Sequence, residues 1–424
     1  MIRYGIVGIG GFAGSWRTSL KELEDRGIAK LAAAVVRNPA KYAEQLPKLE
    51  NSGCTIYSTL DEMLDRGRGQ IDVVGVPTGT SYHAPMAIQA MSAGYNVLIE
   101  KPAAATIQDV LQLRETEQRT GRWCAVSYQW IYSPTIQWLK QKLDDGALGA
   151  IQEMRSMIGW PRPASYYARN KWAGQISYDK RWVLDGPATN ATAHYLTNML
   201  YLAGMRGDHP TSISEVRGEL YRAKPIPSYD TSCIQVRTSQ GPVPGTDGIL
   251  ITHYVSHSLI DLFDPIMDIF CEQGTIHWEA HSDTAVVHYK SGAQETFVNP
   301  DQSDNNLCPF QQIARVLEGK DPAPLCGLVE GGPHVLAINL AFESSEGIIA
   351  VPEEYSYRSE NEQGSEIVGI KGMEELLKKA QASGLMFSEL AVPWGQATAQ
   401  VSAAGYNHFP QSELLKAKLG RIAG

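Results

Sequence analysis

The stretch Arg3-Tyr-Gly-Ile-Val-Gly-Ile-Gly-Gly-Phe-Ala-Gly-Ser-Trp16 decides the fold predicted for this chain. Its first half predicts a buried strand, its second half contains the pattern Gly8-x-Gly10-x-x-Ala13, and a helical pattern follows. In a dinucleotide-binding turn the first glycine permits the tight turn, the second lets the backbone approach a pyrophosphate, and the small third residue lets the helix pack on the strand. The predicted phosphate-binding residues are therefore Gly8, Gly10, Gly11, Phe12 and Ala13.

The end of the second predicted strand, residues 31–36, indicates which dinucleotide is bound. An acidic residue there would grip the 2'-hydroxyl of NAD. Arg37 occupies the position instead, and a guanidinium pairs well with the 2'-phosphate of NADP. We predict NADP or NAD as cofactor, with NADP slightly preferred; the alternative is that Arg37 only begins a solvated loop.

Strand and helix patterns alternate through the first 125 residues, as a doubly wound parallel sheet requires. After the second strand they predict strands over 71–77, 97–99 and 123–128 and helices over 84–93 and 106–120. The loop after the strand over 71–77 leads into the predicted helix over 84–93. We predict a Rossmann domain over 1–125 whose cofactor site includes Pro77, Thr78 and His83.

A lysine stands at the end of the strand over 97–99, which Pro102 stops. Ligands bind at the carboxyl edge of open α/β sheets, so Lys101, beside Glu100, is a candidate for chemistry. The alternative is a surface lysine at a strand end.

Composition restricts the class of protein. The 424 residues are 43% hydrophobic and 20% charged, which is ample for two domains with cores. No apolar run approaches the ~20 residues needed to cross a bilayer, and no signal segment precedes the first strand, so we expect a cytoplasmic protein without a membrane partner. Six scattered cysteines favour reduced thiols over disulfides or zinc, and a net charge of -9 argues against nucleic acid.

Three features together resemble the Gfo/Idh/MocA family, named for glucose-fructose oxidoreductase and inositol dehydrogenase. They are Gly8-Ile-Gly10, the proline-ended strand followed by His83, and Glu100-Lys101-Pro102. The resemblance covers the first domain closely and the second more loosely. It implies that Lys101 lies beside the nicotinamide and the substrate hydroxyl, and we include Glu100 and Lys101 among the cofactor-binding residues.

Residues 160–174 are polar, aromatic and rich in loop signals, a composition suited to stacking on and hydrogen-bonding a sugar. The alternative is a packed surface loop. A histidine-rich sheet follows, but neither a metal-binding motif nor a cysteine partner supports a metal, and we predict none. The predicted substrate-binding residues are Tyr128, Tyr166, Arg169, Asn170, Trp172, Asn190, His194 and His257.

Asn190 and His194 are four residues apart, so on one helix they project from the same face. A helical histidine is more often a core residue, but this stretch resembles the family helix that carries Asp-x-x-x-His, with Asn190 in the aspartate position. An amide cannot accept a proton at neutral pH, so we expect His194 or Lys101 to transfer the proton while Asn190 orients the substrate. Asp185, which precedes a helix-breaking Gly-Pro pair, is not expected to replace the missing acid.

The rest of the chain predicts an α+β domain and a tail. Alternating patterns between 212 and 289 predict a largely antiparallel open sheet, which in the resembling family also carries oligomer contacts. We predict a substrate and oligomerisation domain over 126–355, a dimer or tetramer formed through its sheet, and a C-terminal helical extension over 356–424 that packs on the first two domains. Residues 352–366 are predicted to be a charged linker.

The sequence therefore predicts an α/β plus α+β oxidoreductase that interconverts a secondary alcohol and a ketone on a sugar, sugar derivative or cyclitol. Lysine suits the proton transfer because a positively charged nicotinamide lowers its pKa. One alternative is a glycosidase or lyase that retains NAD and works by transient C3 oxidation and elimination, as some members of the resembling family do. Another is a non-catalytic cofactor-binding regulatory protein, against which Lys101 and His194 argue.

Overall fold

The computed structural model describes residues 1–204, 211–241, 248–299 and 305–423. The chain divides into two compact units. The N-terminal unit comprises Met1–Ala104, Gln108–Ser133 and Gln302–Gly332, and the C-terminal unit comprises Ala105–Ile107, Pro134–Asp301 and Pro333–Gly424. No helix in these described ranges is both long enough and apolar enough to cross a membrane.

The first third of the chain alternates strands and helices. Its strands are β1 (Ile2–Val7), β2 (Ala29–Val35), β3 (Thr55–Tyr57), β4 (Val73–Val76), β5 (Asn96–Ile99) and β6 (Cys124–Val126). Its helices are α1 (Ala13–Asp25), α2 (Leu46–Asn51), α3 (Leu60–Arg66), α4 (His83–Ser92) and α5 (Ile107–Thr120).

The remainder is richer in strands. They are β7 (Ile151–Gly159), β8 (Ser177–Tyr178), β9 (Arg181–Trp182), β10 (Ile213–Arg222), β11 (Thr231–Thr238), β12 (Leu250–Ser256), β13 (Phe263–Cys271), β14 (Gly274–Glu279), β15 (Thr284–Tyr289), β16 (Gln294–Val298), β17 (Ile349–Ala350), β18 (Ser356–Glu360), β19 (Glu366–Ile370) and β20 (Val401–Ser402). The helices are α6 (Pro134–Asp144), α7 (Ala164–Ala168), α8 (Ala193–Ala203), α9 (Cys308–Leu317), α10 (Leu328–Ser344), α11 (Met373–Ser383) and α12 (Glu413–Ala423).

The N-terminal unit is built on a six-stranded parallel sheet in the order β3-β2-β1-β4-β5-β6. Its central strands are continuous apolar runs because helices cover both faces of such a sheet. Trp16 fixes α1 against the sheet: a methyl group on Gly75 of β4 would lie 2.7 Å from its ring. The predicted Rossmann fold is confirmed.

A later segment of the chain returns to this unit. Phe310 of α9 packs edge-on against Tyr4 and Trp16, with ring centroids 5.3 and 5.1 Å away. The unit therefore extends to Ser133 and includes 302–332, which differs from the predicted boundary at 125 and from the assignment of 126–355 to a single domain. The physical reason is that the apolar face of α9 is buried in the core of the first sheet.

The C-terminal unit is built on a ten-stranded sheet in the order β16-β15-β14-β13-β7-β12-β11-β10-β17, with β20 also paired to β10. β7 is parallel to β12 and β17 is parallel to β10, whereas the other pairs are antiparallel. The largely antiparallel sheet is confirmed. Its central strand β7 was missed because the second half is buried on both sides and shows no alternation.

The C-terminal residues complete the core of this unit. Residues 352–366 are not a linker, because β18 and β19 pair as an antiparallel hairpin. The segment from α11 onward covers one face of the sheet, where Phe387 and Trp394 pack against Tyr221. The C-terminal extension therefore contains strands as well as helices, and it is part of the C-terminal unit. The predicted association through the sheet stays a prediction.

Candidate functional site

The glycine-rich turn after β1 has the geometry of a dinucleotide-binding loop. Gly8 has a φ of +88°, a conformation that favours glycine, and its N–H donates to the carbonyl of Val35 at 2.9 Å. α1 begins directly after the turn, at Ala13, with no acidic residue in its first turn, so its N-terminal end favours an anion. Phe12 is 48% exposed at this end.

Gly10 is needed for a close approach that the sequence did not predict. A methyl group at this position would lie 2.2 Å from the hydroxyl oxygen of Tyr42. Tyr42 ends a short 3-10 turn that Asn38 caps through the backbone N–H of Lys41. The exposed Arg37 lies just before this turn and directly after the buried Val36. Tyr42 therefore brings the turn after β2 against the glycine loop, and the exposed Arg37 precedes this turn in the chain.

The end of β5 places Lys101 at the carboxyl edge of the parallel sheet, as predicted. The preceding carboxylate is buried: Glu100 accepts hydrogen bonds from the indole of Trp16 at 2.8 Å and from the backbone N–H of Lys101 at 3.1 Å. Burial raises the pKa of Glu100 to about 7, against the opposing charge of Lys101. Glu100 therefore anchors the strand end to α1.

His83 lies between two backbone carbonyls of the neighbouring loops. It has no exposed surface, and its ring nitrogens lie 2.8 Å from the carbonyl of Pro102 and 3.0 Å from that of Thr78. Burial lowers the pKa of His83. The neutral imidazole donates to one of these carbonyls and so ties the two loops together. Direct cofactor contact by His83, and by the half-buried Thr78 that follows the buried Pro77, stays a prediction.

Tyr128 lies in the interior of the N-terminal unit. It is fully buried, and a methyl group on Gly331 would lie 3.3 Å from its ring. The side chain fills the interior beside Val126 because β6 ends in the core of the unit. Contact of Tyr128 with substrate stays a prediction.

In the C-terminal unit, the loop after β7 gathers several of the predicted substrate-binding residues. The ring of Tyr166 lies 6.1 Å from that of His257, and the guanidinium carbon of Arg169 lies 3.4 Å from the Tyr166 centroid. The same carbon is 5.6 Å from the ring of Trp172. Asn170 shapes the loop instead, since its side-chain oxygen accepts from the N–H of Trp172 and of Ala173.

Asn190 and His194 do not share one continuous helix. Asn190 lies in a π-helical turn, Pro187–Ala191, and α8 starts only at Ala193. Thr192 separates them with φ -115° and ψ 16°, and its N–H donates to the carbonyl of Pro187 at 2.9 Å. The prediction that Asn190 and His194 project from one face of a single helix is therefore wrong. His194 is 6% exposed in the first turn of α8.

Asp185 is the residue that sequence reasoning set aside and the structure joins to Asn190. One of its carboxylate oxygens accepts from the Asn190 amide at 2.8 Å and the other from the N–H of Gly174 at 2.6 Å. Gly186 is extended, with φ -157° and ψ 173°, and this brings the carboxylate back over the turn. The sequence feature that could have identified this pair is an acidic residue before a Gly-Pro turn that leads to an asparagine.

The N-terminal part of the chain is similar to a family of known proteins. Residues 2–128 match the GFO_IDH_MocA model, described as an oxidoreductase family with an NAD-binding Rossmann fold. The predicted resemblance to this family is confirmed over the N-terminal domain. The chain is an oxidoreductase, and the predicted enzyme class is confirmed.

Two relatives and one solved structure extend the comparison. The chain is 24% identical over 321 residues to 4-carboxy-2-hydroxymuconate-6-semialdehyde dehydrogenase of Sphingobium sp., a match covering 76% of this chain and 92% of the relative. It is 29% identical over 150 residues to inositol 2-dehydrogenase 2 of Saccharopolyspora erythraea, covering 34% and 44%. The WlbA dehydrogenase of Bordetella pertussis, solved with NADH and UDP-GlcNAcA, shares its fold at a TM-score of 0.65 and 22% identity, covering 81% and 96%.

Metal-binding side chains do not gather in the part of the chain that the structure describes. There, no three His, Cys, Asp or Glu side chains are grouped so that they hold an ion. All six cysteines are free thiols.

Proposed function

We propose that this protein interconverts a secondary alcohol and a ketone on a sugar, sugar derivative or cyclitol with NADP or NAD. The observation that carries the proposal is Lys101, at the carboxyl edge of the same parallel sheet whose first turn holds the Gly8 loop. The name of inositol 2-dehydrogenase 2 supports a polyhydroxylated substrate.

The N-terminal unit fits a dinucleotide. The positive φ of Gly8 and the start of α1 at Ala13 leave backbone N–H groups for phosphate oxygens, and the exposed Arg37 follows β2. When bound, the nicotinamide supplies a carbon that accepts or donates hydride. We assign Arg37 to the ribose end of the cofactor, and Gly8 to Ala13 to its phosphates.

Lys101 is our choice for the group that moves the hydroxyl proton. Its neutral amine takes the proton from the alcohol oxygen when the alcohol is oxidised, and its ammonium returns it when the ketone is reduced. The bonds between Glu100, Trp16 and the Lys101 backbone fix the start of this side chain. His194 is the second candidate for proton transfer.

Asn190 is proposed to orient the substrate. Asp185 accepts only, so the Asn190 amide turns its NH₂ group to that carboxylate and its carbonyl oxygen the other way. A carbonyl oxygen held in this way accepts a hydrogen bond from a substrate hydroxyl. The pair therefore supplies orientation without a titrating group at Asn190.

The reaction is tested with a panel of sugars, sugar acids and cyclitols, each supplied with NADP and with NAD. We expect reduction of the nicotinamide, followed by its absorbance, with at least one of these substrates. Absence of reduction across the panel, while the cofactor binds tightly, would favour a regulatory protein instead.

Arg37→Ala is expected to weaken NADP binding by about 1.5–3 kcal/mol, the range for a hydrogen bond to a charged group, and to change NAD binding little. Lys48→Ala removes another exposed cation of the same unit and serves as the control. Dissociation constants for both cofactors are measured by titration calorimetry. Equal losses for NADP and NAD would contradict the assignment of Arg37 to a 2'-phosphate.

A further inference from the structure

Arg162, which the sequence did not single out, carries a guanidinium whose described contacts are with aromatic rings. Its guanidinium carbon lies 5.3 Å from the ring of Trp160 and 4.8 Å from that of Tyr166. Its Nε is buried and has no hydrogen-bond partner among the described residues. The contacts with the two rings leave this donor unsatisfied.

A second arginine lies against the same ring. The guanidinium carbon of Arg169 is 3.4 Å from the centroid of Tyr166, and its Nη1 donates to the Tyr166 carbonyl at 2.8 Å. The buried hydroxyl of the adjacent Tyr167 also has no partner among the described residues. Two cations and two unsatisfied donors, one on Arg162 and one on Tyr167, therefore belong to one short loop after β7.

A buried histidine, His257, lies next to these two arginines and is affected by their charge. His257 is buried, and its Nδ1 lies 2.8 Å from the carbonyl of Trp160. Burial and then the charge of Arg162 lower the pKa of His257 well below its ordinary value. The charges of Lys224 and Arg169 act in the same direction. The imidazole is therefore neutral and adds no further charge.

An unsatisfied buried donor of a charged group is costly, and such a group is normally met by a ligand, an ion or water. Guanidinium groups held in a fixed plane pair with carboxylates through two parallel hydrogen bonds. The guanidinium carbons of Arg162 and Arg169 both lie within 4.8 Å of the centroid of the Tyr166 ring, so the two cations share one aromatic neighbour.

We propose that Arg162 and Arg169 form a carboxylate-binding subsite, so that the substrate of this enzyme is a sugar acid or cyclitol acid rather than its neutral counterpart. The inference rests on the proposed function for the reaction itself. Asp185 connects the two segments: one of its oxygens accepts from the Asn190 amide and the other from the N–H of Gly174, at the end of the segment that holds both arginines. We therefore assign the acid group and the hydroxyl oriented by Asn190 to one substrate.

The test compares binding of matched ligands to the full-length, NADP-saturated protein by titration calorimetry. The ligands are glucuronate, galacturonate and mannuronate, the three corresponding hexoses, and the three hexose 6-phosphates. We expect at least one acid to bind more tightly than its hexose. Arg162→Gln should weaken that acid about 10- to 100-fold, the equivalent of a charged hydrogen bond, and its hexose less than about threefold.

Two further variants keep the test decisive. Lys171→Gln removes an exposed cation of the same loop and is expected to bind the acid as the wild type does. Arg162→Lys keeps the charge but not the planar fork, so it should show an intermediate loss and guards against a misfolded glutamine variant.

The proposal is overturned if no acid binds more tightly than its hexose, if the phosphates bind more tightly than the acids, or if both arginine variants weaken acid and hexose equally. Because the readout is binding, it is separate from turnover. An acid that binds through Arg162 without reducing the nicotinamide would contradict the proposed reaction and leave the subsite standing. Neutral hexoses that are oxidised while acids bind no better would do the reverse.

Discussion

Replacement of Lys101 by alanine is expected to lower kcat about 10²- to 10⁴-fold, the usual contribution of a general acid-base group. Cofactor affinity should stay near the wild-type value, because the proposed phosphate contacts are backbone N–H groups of the Gly8 loop and the start of α1, which this side-chain substitution leaves in place. The measurement is steady-state turnover together with the cofactor dissociation constant.

Two comparisons make the Lys101 result interpretable. Lys48→Ala, an exposed lysine of the same unit, should leave kcat unchanged. Lys101→Arg keeps a positive charge but cannot release its proton near neutral pH, so it should also lose turnover. A Lys101→Ala enzyme that retained most of its rate would exclude this side chain as the proton carrier.

Asn190→Asp is expected to cost about 10²-fold in kcat above neutral pH, the loss that follows from misplacing a substrate by about 1 Å. The new carboxylate would face the Asp185 oxygen that now lies 2.8 Å from the Asn190 amide. Two carboxyl groups at this distance share one proton, because both cannot ionise easily, so one pKa of the pair rises. Activity should therefore fall as the pH rises through that raised pKa, when the second carboxyl ionises and the pair repels.

Two control variants isolate this effect in a pH-rate profile. Asn190→Ala should lower turnover without adding a new pH-dependent limb, because alanine does not titrate. The double variant Asp185→Asn with Asn190→Asp restores one carboxylate and one amide, and the new limb should disappear. A single aspartate variant with wild-type rate and profile would show that Asn190 does not orient the substrate.

Local patterns predicted five of the six strands of the parallel sheet. The apolar runs of β4 and β5 and the glycine turn before α1 each depend on neighbouring residues, and all three were found. The edge strand β3 was missed because it has three residues, of which one is buried. The return of α9 was also missed, because its apolar stripe fits the core of either unit and tertiary contacts, such as that of Phe310 with Trp16, decide between them. Long-range packing leaves no periodic signal.

The residues of the candidate site show the same difference between local and long-range signals. Lys101 was found because a strand end and a proline mark it in the sequence. The carboxylate of Asp185 was missed because a turn, and not a helical spacing, brings it to Asn190. Arg162 carried no signal, since its stacking on Tyr166 depends on the conformation of an irregular loop.

The central claim is net hydride transfer between a substrate carbon and the nicotinamide. The most direct measurement counts reduced nicotinamide, by its absorbance, against ketone formed in the same reaction with a substrate from the panel. The account predicts one reduced nicotinamide for each ketone over many turnovers. Product that accumulates while the absorbance returns to its starting value would contradict it, and would identify instead a glycosidase or lyase that retains its cofactor.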